Sequence, residues 1–159
     1  MAYQKLQVGK GLKVIPSNTV NIPNPDTHIL SGVADFTVAG TLTDSGTDFK
    51  TTVQTGDIVY NTTAQKAYYV VTVDSSTQLS LNPSDAGGAA DVYDIYREAT
   101  NGCILFVGEA GNVALILTTP TSDKSKLVFK GIASGAFLPT QVVRVDAAST
   151  TATDIIALW

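Results

Sequence analysis

Cys103-Ile104-Leu105-Phe106-Val107-Gly108-Glu109-Ala110-Gly111-Asn112-Val113-Ala114-Leu115-Ile116-Leu117-Thr118 decides the fold class. Two short apolar runs flank a glycine-containing connection, and neither keeps the three-to-four spacing of a helix face. In the second run Val113, Leu115 and Leu117 share one face, Ala114 and Thr118 take the other, and Ile116 is partly covered. That alternation is the period of a strand. Gly108 and Gly111 offer positive φ between the runs, so this stretch reads as a β-hairpin.

Outward from the hairpin the same pattern runs to both ends. Strands are expected at Leu12–Ile15, Phe36–Leu42, Asp57–Asn61, Ala67–Val73, Gln78–Leu81, Asp91–Tyr96, Lys126–Lys130, Gln141–Val145 and Thr153–Leu158. The chain is therefore expected to be all-β. From Cys103 onward it reads as a meander of antiparallel strands forming one face of a small β-sandwich, with Thr121–Ser125 and Gly131–Gly135 as its next turns. Residues 31 to about 98 differ, being rich in Thr and Asp, and read as a compact β-barrel-like unit. Ser84–Ala90 reads as a flexible loop, Arg97–Gly102 as a linker, and Ile22–Asp26 as an extended segment kept from pairing by its prolines.

Composition narrows the function classes. Charged residues are 15% of the 159, against roughly 25% in an average soluble domain, so Thr, Ser, Asn and Gly must cover much of the surface. Neutral polar surfaces suit β-rich modules and proteins packed against copies of themselves or a partner lattice. A net charge of −4 with ten Lys and Arg spread along the chain leaves no basic stripe for phosphates, and a nucleic-acid partner is not expected. Lys5, Lys10 and Lys13 form the only basic cluster, either a solvated arm or one that docks on an acidic neighbour. A single cysteine, Cys103, permits no internal disulfide and sits in an apolar run as a small buried hydrophobe. No apolar leader and no run of about 20 apolar residues is present, so the expectation is an aqueous, reducing compartment and no membrane.

Catalytic and metal-binding patterns are missing. His28 is the sole histidine, so a Ser-His-Asp triad has only that residue to form around, and no G-x-S-x-G elbow accompanies it. One His and one Cys do not make a zinc site. Asp44 and Asp48 flank Ser45-Gly46-Thr47 without the rest of a calcium loop, and Asx-turn chemistry is the reading for Asp44. No enzyme activity, cofactor or metal is therefore expected. Tyr60, Tyr68, Tyr69, Tyr93 and Tyr96 all fall in the central unit, where alternation sends Tyr68 and Tyr69 to opposite faces, one core and one rim. They either pack across strands or form a sugar- or protein-binding surface. Trp159 closes the last apolar run and is anchored in the core or in a subunit interface.

Part of the chain resembles a known family. Phe106-Val107-Gly108-Glu109-Ala110-Gly111-Asn112-Val113, Leu127-Val128-Phe129-Lys130-Gly131-Ile132-Ala133-Ser134-Gly135-Ala136-Phe137-Leu138-Pro139, Val142-Val143-Arg144-Val145 and Thr150-Thr151-Ala152-Thr153-Asp154-Ile155-Ile156-Ala157-Leu158-Trp159 follow one another in order. This series resembles small virion proteins of tailed bacteriophages, in which a "YVGxGG" hairpin, a "VxFxNVxxGxxLPVxVxRV" segment and a closing "GTTAxxIxALY/W" recur. Phe106 replaces the Tyr, Glu109-Ala110 precede Gly111, and Ser149 stands where a Gly usually precedes the two threonines. Val14-Ile15-Pro16-Ser17-Asn18-Thr19-Val20-Asn21-Ile22-Pro23 looks like the family's opening segment.

The resemblance implies that residues 1–30 plus 99–159 form one β-sandwich domain interrupted by an inserted barrel-like domain, 31–98. It implies a virion component without fixing its position on the particle; the leading expectation is a capsid decoration (cement) protein, made in the host cytoplasm, that trimerises and binds the major capsid protein on the capsid surface. Tyr3, Leu6 and Val8 are the expected arm contacts, with Tyr68, Tyr69 and Trp159 as further partner-binding candidates. A tail, neck or fibre-base component with a host- or glycan-binding insertion is the virion alternative, and a carbohydrate-active or carbohydrate-binding protein is the rival outside the virion.

Overall fold

The computed structural model describes residues 8–118 and 126–159. Among these the chain is all-β: apart from one short helix, α1 (Phe49–Thr52), and two 3-10 turns, every regular element is a strand. The strands form two antiparallel sheets of six, and the chain divides into two compact units, Met1–Val14 with Asn101–Trp159, and Ile15–Thr100.

The first unit holds β1 (Gly11–Lys13), β8 (Cys103–Val107), β9 (Gly111–Leu117), β10 (Lys126–Ile132), β11 (Ala136–Val145) and β12 (Ile155–Leu158). Their order across the sheet is β1-β12-β8-β11-β9-β10. The expected meander is thus corrected: β9 and β10 pair as successive strands, but β8 and β9 are separated by β11. The glycines of their connection are not turn glycines. Neither Gly108 nor Gly111 has positive φ. A Cβ at Gly108 would lie 2.7 Å from the Asp154 carbonyl oxygen, and one at Gly111 would lie 2.5 Å from the Ala152 nitrogen. These residues are glycine because segment 151–154 runs against them, and the N–H groups of Gly108 and Glu109 donate to Asp154 and Thr153. β11 pairs with β8 at Ala136–Leu138 and, past an irregularity, again at Val142, where it also takes up β9 on its other side. Pro139 sits in that irregularity, where a missing N–H breaks no regular ladder. Leu105, Val107, Val113, Leu115, Val142 and Ala157 are fully buried and form the interior of this unit.

The second unit holds β2 (His28–Ala34), β3 (Thr41–Thr43), β4 (Ile58–Asn61), β5 (Lys66–Val73), β6 (Gln78–Asn82) and β7 (Asp91–Tyr96), in the order β2-β7-β4-β5-β6-β3. The two edge strands meet at a single bridge, where Asp35 and Thr43 exchange N–H···O bonds of 2.9 Å. The sheet therefore curls towards itself, as a barrel-like unit would, without closing into a barrel. Phe36, Leu42, Phe49, Tyr68, Leu79, Tyr93 and Ile95 fill it. Phe36 is central, stacked on Tyr68 at 6.0 Å and edge-on to Tyr93 at 6.2 Å. Helix α1 starts at Asp48, whose carboxylate accepts from the Lys50 N–H, and it delivers Phe49 into this core.

Three expectations change here. Residues 15–30 go with the second unit, because β2 pairs with β7 and Asn24 N–H donates to Glu98. Phe36–Leu42 is mostly not strand, since the Phe36 backbone bonds instead to Gly87 and Gly88. That same contact, with Gly88 N–H donating to Asp91 and Lys66 Nζ to Ala86, ties down the stretch read as a flexible loop.

Candidate functional site

Register brings one outward row together across the first sheet. Phe137 of β11 opposes Phe106 of β8, Phe106 opposes Ile156 of β12, and Ile156 opposes Lys13 of β1. Directly paired residues share a face. The two phenyl rings meet edge to face at 5.2 Å, and Phe137 remains 58% exposed. Beside Ile156 an open groove of about 480 Å³ is lined by Gly11, Lys13, Asp154 and Ile156. Lys13 Nζ lies 2.9 Å from Asp154 Oδ1 at its rim, with both side chains more than half exposed. An aromatic strip with a polar border has the make-up of a protein-contact patch.

The residues expected at the site are placed differently. Tyr3 and Leu6 lie outside the described residues. Val8 is exposed and lines a hollow of about 110 Å³ with Cys103, Ile104, Leu158 and Trp159. From Gly9 onward the segment is no arm: Gly9 and Lys10 N–H donate to the Trp159 carbonyl, and Trp159 N–H donates back to Lys10. Trp159 is half-buried and its backbone extends the β1–β12 ladder. Tyr68 is wholly buried, which removes it as a contact residue. Burial, with Asp85 and Asp91 nearby, pushes its phenol up to about 12. Tyr69 takes the opposite face, half-buried, and its hydroxyl accepts from the Asn21 N–H at 3.0 Å. The core-and-rim alternation is therefore present, but not as an aromatic platform.

Phe106, Phe137 and Ile156 were not singled out by sequence reasoning. Phe106 was legible as the opposite parity to Leu105 within its strand. Phe137 was not, because it falls between the strands expected at Lys126–Lys130 and Gln141–Val145.

Chemistry elsewhere is limited. The fold does bring Ser31 and Asp94 to His28 on β2 and β7. A working triad uses one imidazole nitrogen for the hydroxyl and the other for the carboxylate. Here His28 Nε2 meets both Ser31 Oγ, at 2.9 Å, and Asp94 Oδ1, at 3.3 Å, while Ser31 Oγ donates to that same carboxylate oxygen. Hydroxyl and carboxylate thus meet the same imidazole nitrogen, which is not the relay arrangement of a triad. Asp44 accepts from Gly46 N–H, the Asx turn read from sequence, and from the Tyr93 hydroxyl at 2.8 Å. Burial first, then this bond, raises the Tyr93 phenol well above the usual range. The Asp57 side chain is almost fully buried; desolvation raises its carboxyl above the ordinary range although Arg97 Nε stands 3.2 Å away. Cys103 is buried, donates to the Val142 carbonyl, and has its thiol pushed up to about 12 by burial, so it is not a thiolate at neutral pH.

Among the described residues no three His, Cys, Asp or Glu side chains are grouped to hold a metal, and no helix is long and apolar enough to cross a membrane. No family model matches the chain, and neither a curated protein nor a solved structure matches it.

Proposed function

We propose that this chain is a non-enzymatic virion structural protein, a capsid decoration protein that assembles as a trimer and binds the major capsid protein at the capsid surface. The observation that carries the reading is the outward row Phe137–Phe106–Ile156 on a chain otherwise poor in surface charge. Water-exposed aromatic area of this kind is stabilised by being covered, at about 25 cal/mol per Å² removed from water. The mechanism is then buried area: each ordered copy adds interface between neighbouring capsid subunits, and copies joined in a trimer engage with the avidity of linked sites. The sequence segments that resemble phage virion proteins support the same reading, since they supply β8, β9, β10, β11 and β12, the strands that carry or border this row.

The tail, neck or fibre-base alternative rests on exposed Val33 and Val92, paired across β2 and β7 on the second unit, which give that unit an apolar surface of its own. Pelleting of the purified chain with empty capsids is the test. Saturable co-sedimentation is expected; a chain that stays in the supernatant at all capsid concentrations contradicts the decoration reading.

A further inference from the structure

Among the described residues β10 ends its sheet, paired on one side by β9 and with no strand on the other. Which of its backbone groups are open follows from its neighbour. Ala114 of β9 turns away from β10, its carbonyl accepting from Asp146 N–H at 2.9 Å and its N–H donating to Thr150 Oγ1 at 3.0 Å. Backbone groups alternate sides along a strand, so Val113 and Leu115 face β10. Their register partners, Phe129 and Leu127, face back to them. The N–H and C=O of Val128 therefore point out from the sheet at the centre of the free edge.

Side chains on this edge set what it accepts. Leu127 and Val128, on opposite faces of the strand, are 47% and 41% exposed, and an added strand would cover part of each. Lys126 and Lys130 flank them and are the only charged residues of the strand, in a chain of net charge −4. Asp146 Oδ1 lies 3.2 Å from Lys126 Nζ, and Ser149 Oγ also contacts that ammonium. Two copies joined antiparallel about Val128 would set Lys126 against Lys130 of the other copy, and like charges directly opposite repel. Such lysines guard an edge against its own kind while admitting the opposite charge.

We propose that the β10 edge is a strand-addition site for an extended acidic segment of another protein, centred on Val128 with carboxylates opposite Lys126 and Lys130. It goes beyond the decoration reading and does not depend on it, since the argument needs no capsid.

The probe is a blocked heptapeptide of alternating Thr and Val with Glu at its second and sixth positions, which stand opposite Lys130 and Lys126 when its fourth residue pairs with Val128, compared with the same peptide carrying Lys, each titrated into the full chain and followed by amide NMR and hydrogen exchange. The Glu peptide is expected to shift and protect the Val128 amide and to bind about tenfold more tightly than the Lys peptide, from two reversed cross-strand charge pairs. Lys130→Glu should narrow or invert that preference. Val128→Pro should abolish binding while the fold survives, because the N–H it removes is not part of the β9 ladder. If that variant does not fold, Lys130→Glu decides alone. Equal binding of the two peptides, no binding of either, protection elsewhere than β10, or concentration-dependent pairing of the chain through β10 would each overturn the proposal.

Discussion

Phe137→Asp is expected to abolish capsid binding while leaving the fold in place. The side chain stands at the head of the outward row and is 58% exposed, so its removal opens no cavity. Its main intramolecular partner is the Phe106 ring at 5.2 Å. Loss of that edge-to-face pair costs about 0.5–1.5 kcal/mol, and urea unfolding should register no more than that. Binding should respond far more. A buried aromatic anchor at an interface typically contributes about 2 kcal/mol or more when truncated, some 30-fold in affinity. A carboxylate placed in the covered patch adds a desolvation cost to that loss. Co-sedimentation with capsids should therefore fall at least 30-fold, while the unfolding free energy falls by no more than about 1.5 kcal/mol. A variant that binds as wild type would show that the row is not the contact.

The largest effect on stability is expected from Phe36→Ala. Phe36 is fully buried and touches Tyr68 on one side and Tyr93 on the other. Its backbone also holds the 83–90 stretch through Gly87 and Gly88. Deleting a buried phenyl removes its transfer free energy and leaves a cavity, together about 3–5 kcal/mol. Both flanking tyrosines are rigid rings in a curled sheet, so collapse around the void is restricted and the upper part of that range applies. Urea unfolding followed by tyrosine fluorescence measures it. A loss under about 1 kcal/mol would contradict the assignment of Phe36 to the centre of this core.

The all-β class was legible because strand period and turn residues recur along the whole chain, and most of the strands in the second unit lie where alternation and Gly, Asp and Ser punctuation put them. What escaped is instructive residue by residue. β2 was hidden because His28-Ile29-Leu30-Ser31-Gly32-Val33-Ala34 follows two prolines and lacks a clean alternation; it is a strand because β7 pairs with it. Phe36 looked like strand and is instead a core side chain on a loop, its backbone satisfied by a segment 50 residues on. The glycines at 108 and 111 looked like turn glycines; their requirement comes from the approach of 151–154, a tertiary contact with no local signature. Strand order was likewise out of reach, since local pattern does not say that β11 enters between β8 and β9.

The same limit applies to the site. Tyr68 and Tyr69 drew notice as consecutive aromatics, yet the curl of the sheet buries the first and a main-chain N–H occupies the hydroxyl of the second. Phe106, Phe137 and Ile156 lie far apart in sequence and become one surface only through the pairings of β8 with β11 and β12. Val8 is exposed, whereas Lys10 and Lys13, read with Lys5 as a basic arm, belong to a paired end and a paired strand.

Cryo-electron microscopy of the assembled particle tests the central claim most directly. The account predicts density for this chain at many quasi-equivalent positions on the outer shell, in threefold clusters, with the Phe137–Phe106–Ile156 row buried against the capsid or a neighbouring copy. Density confined to a single vertex, or particles that contain no copy of the chain, would contradict it.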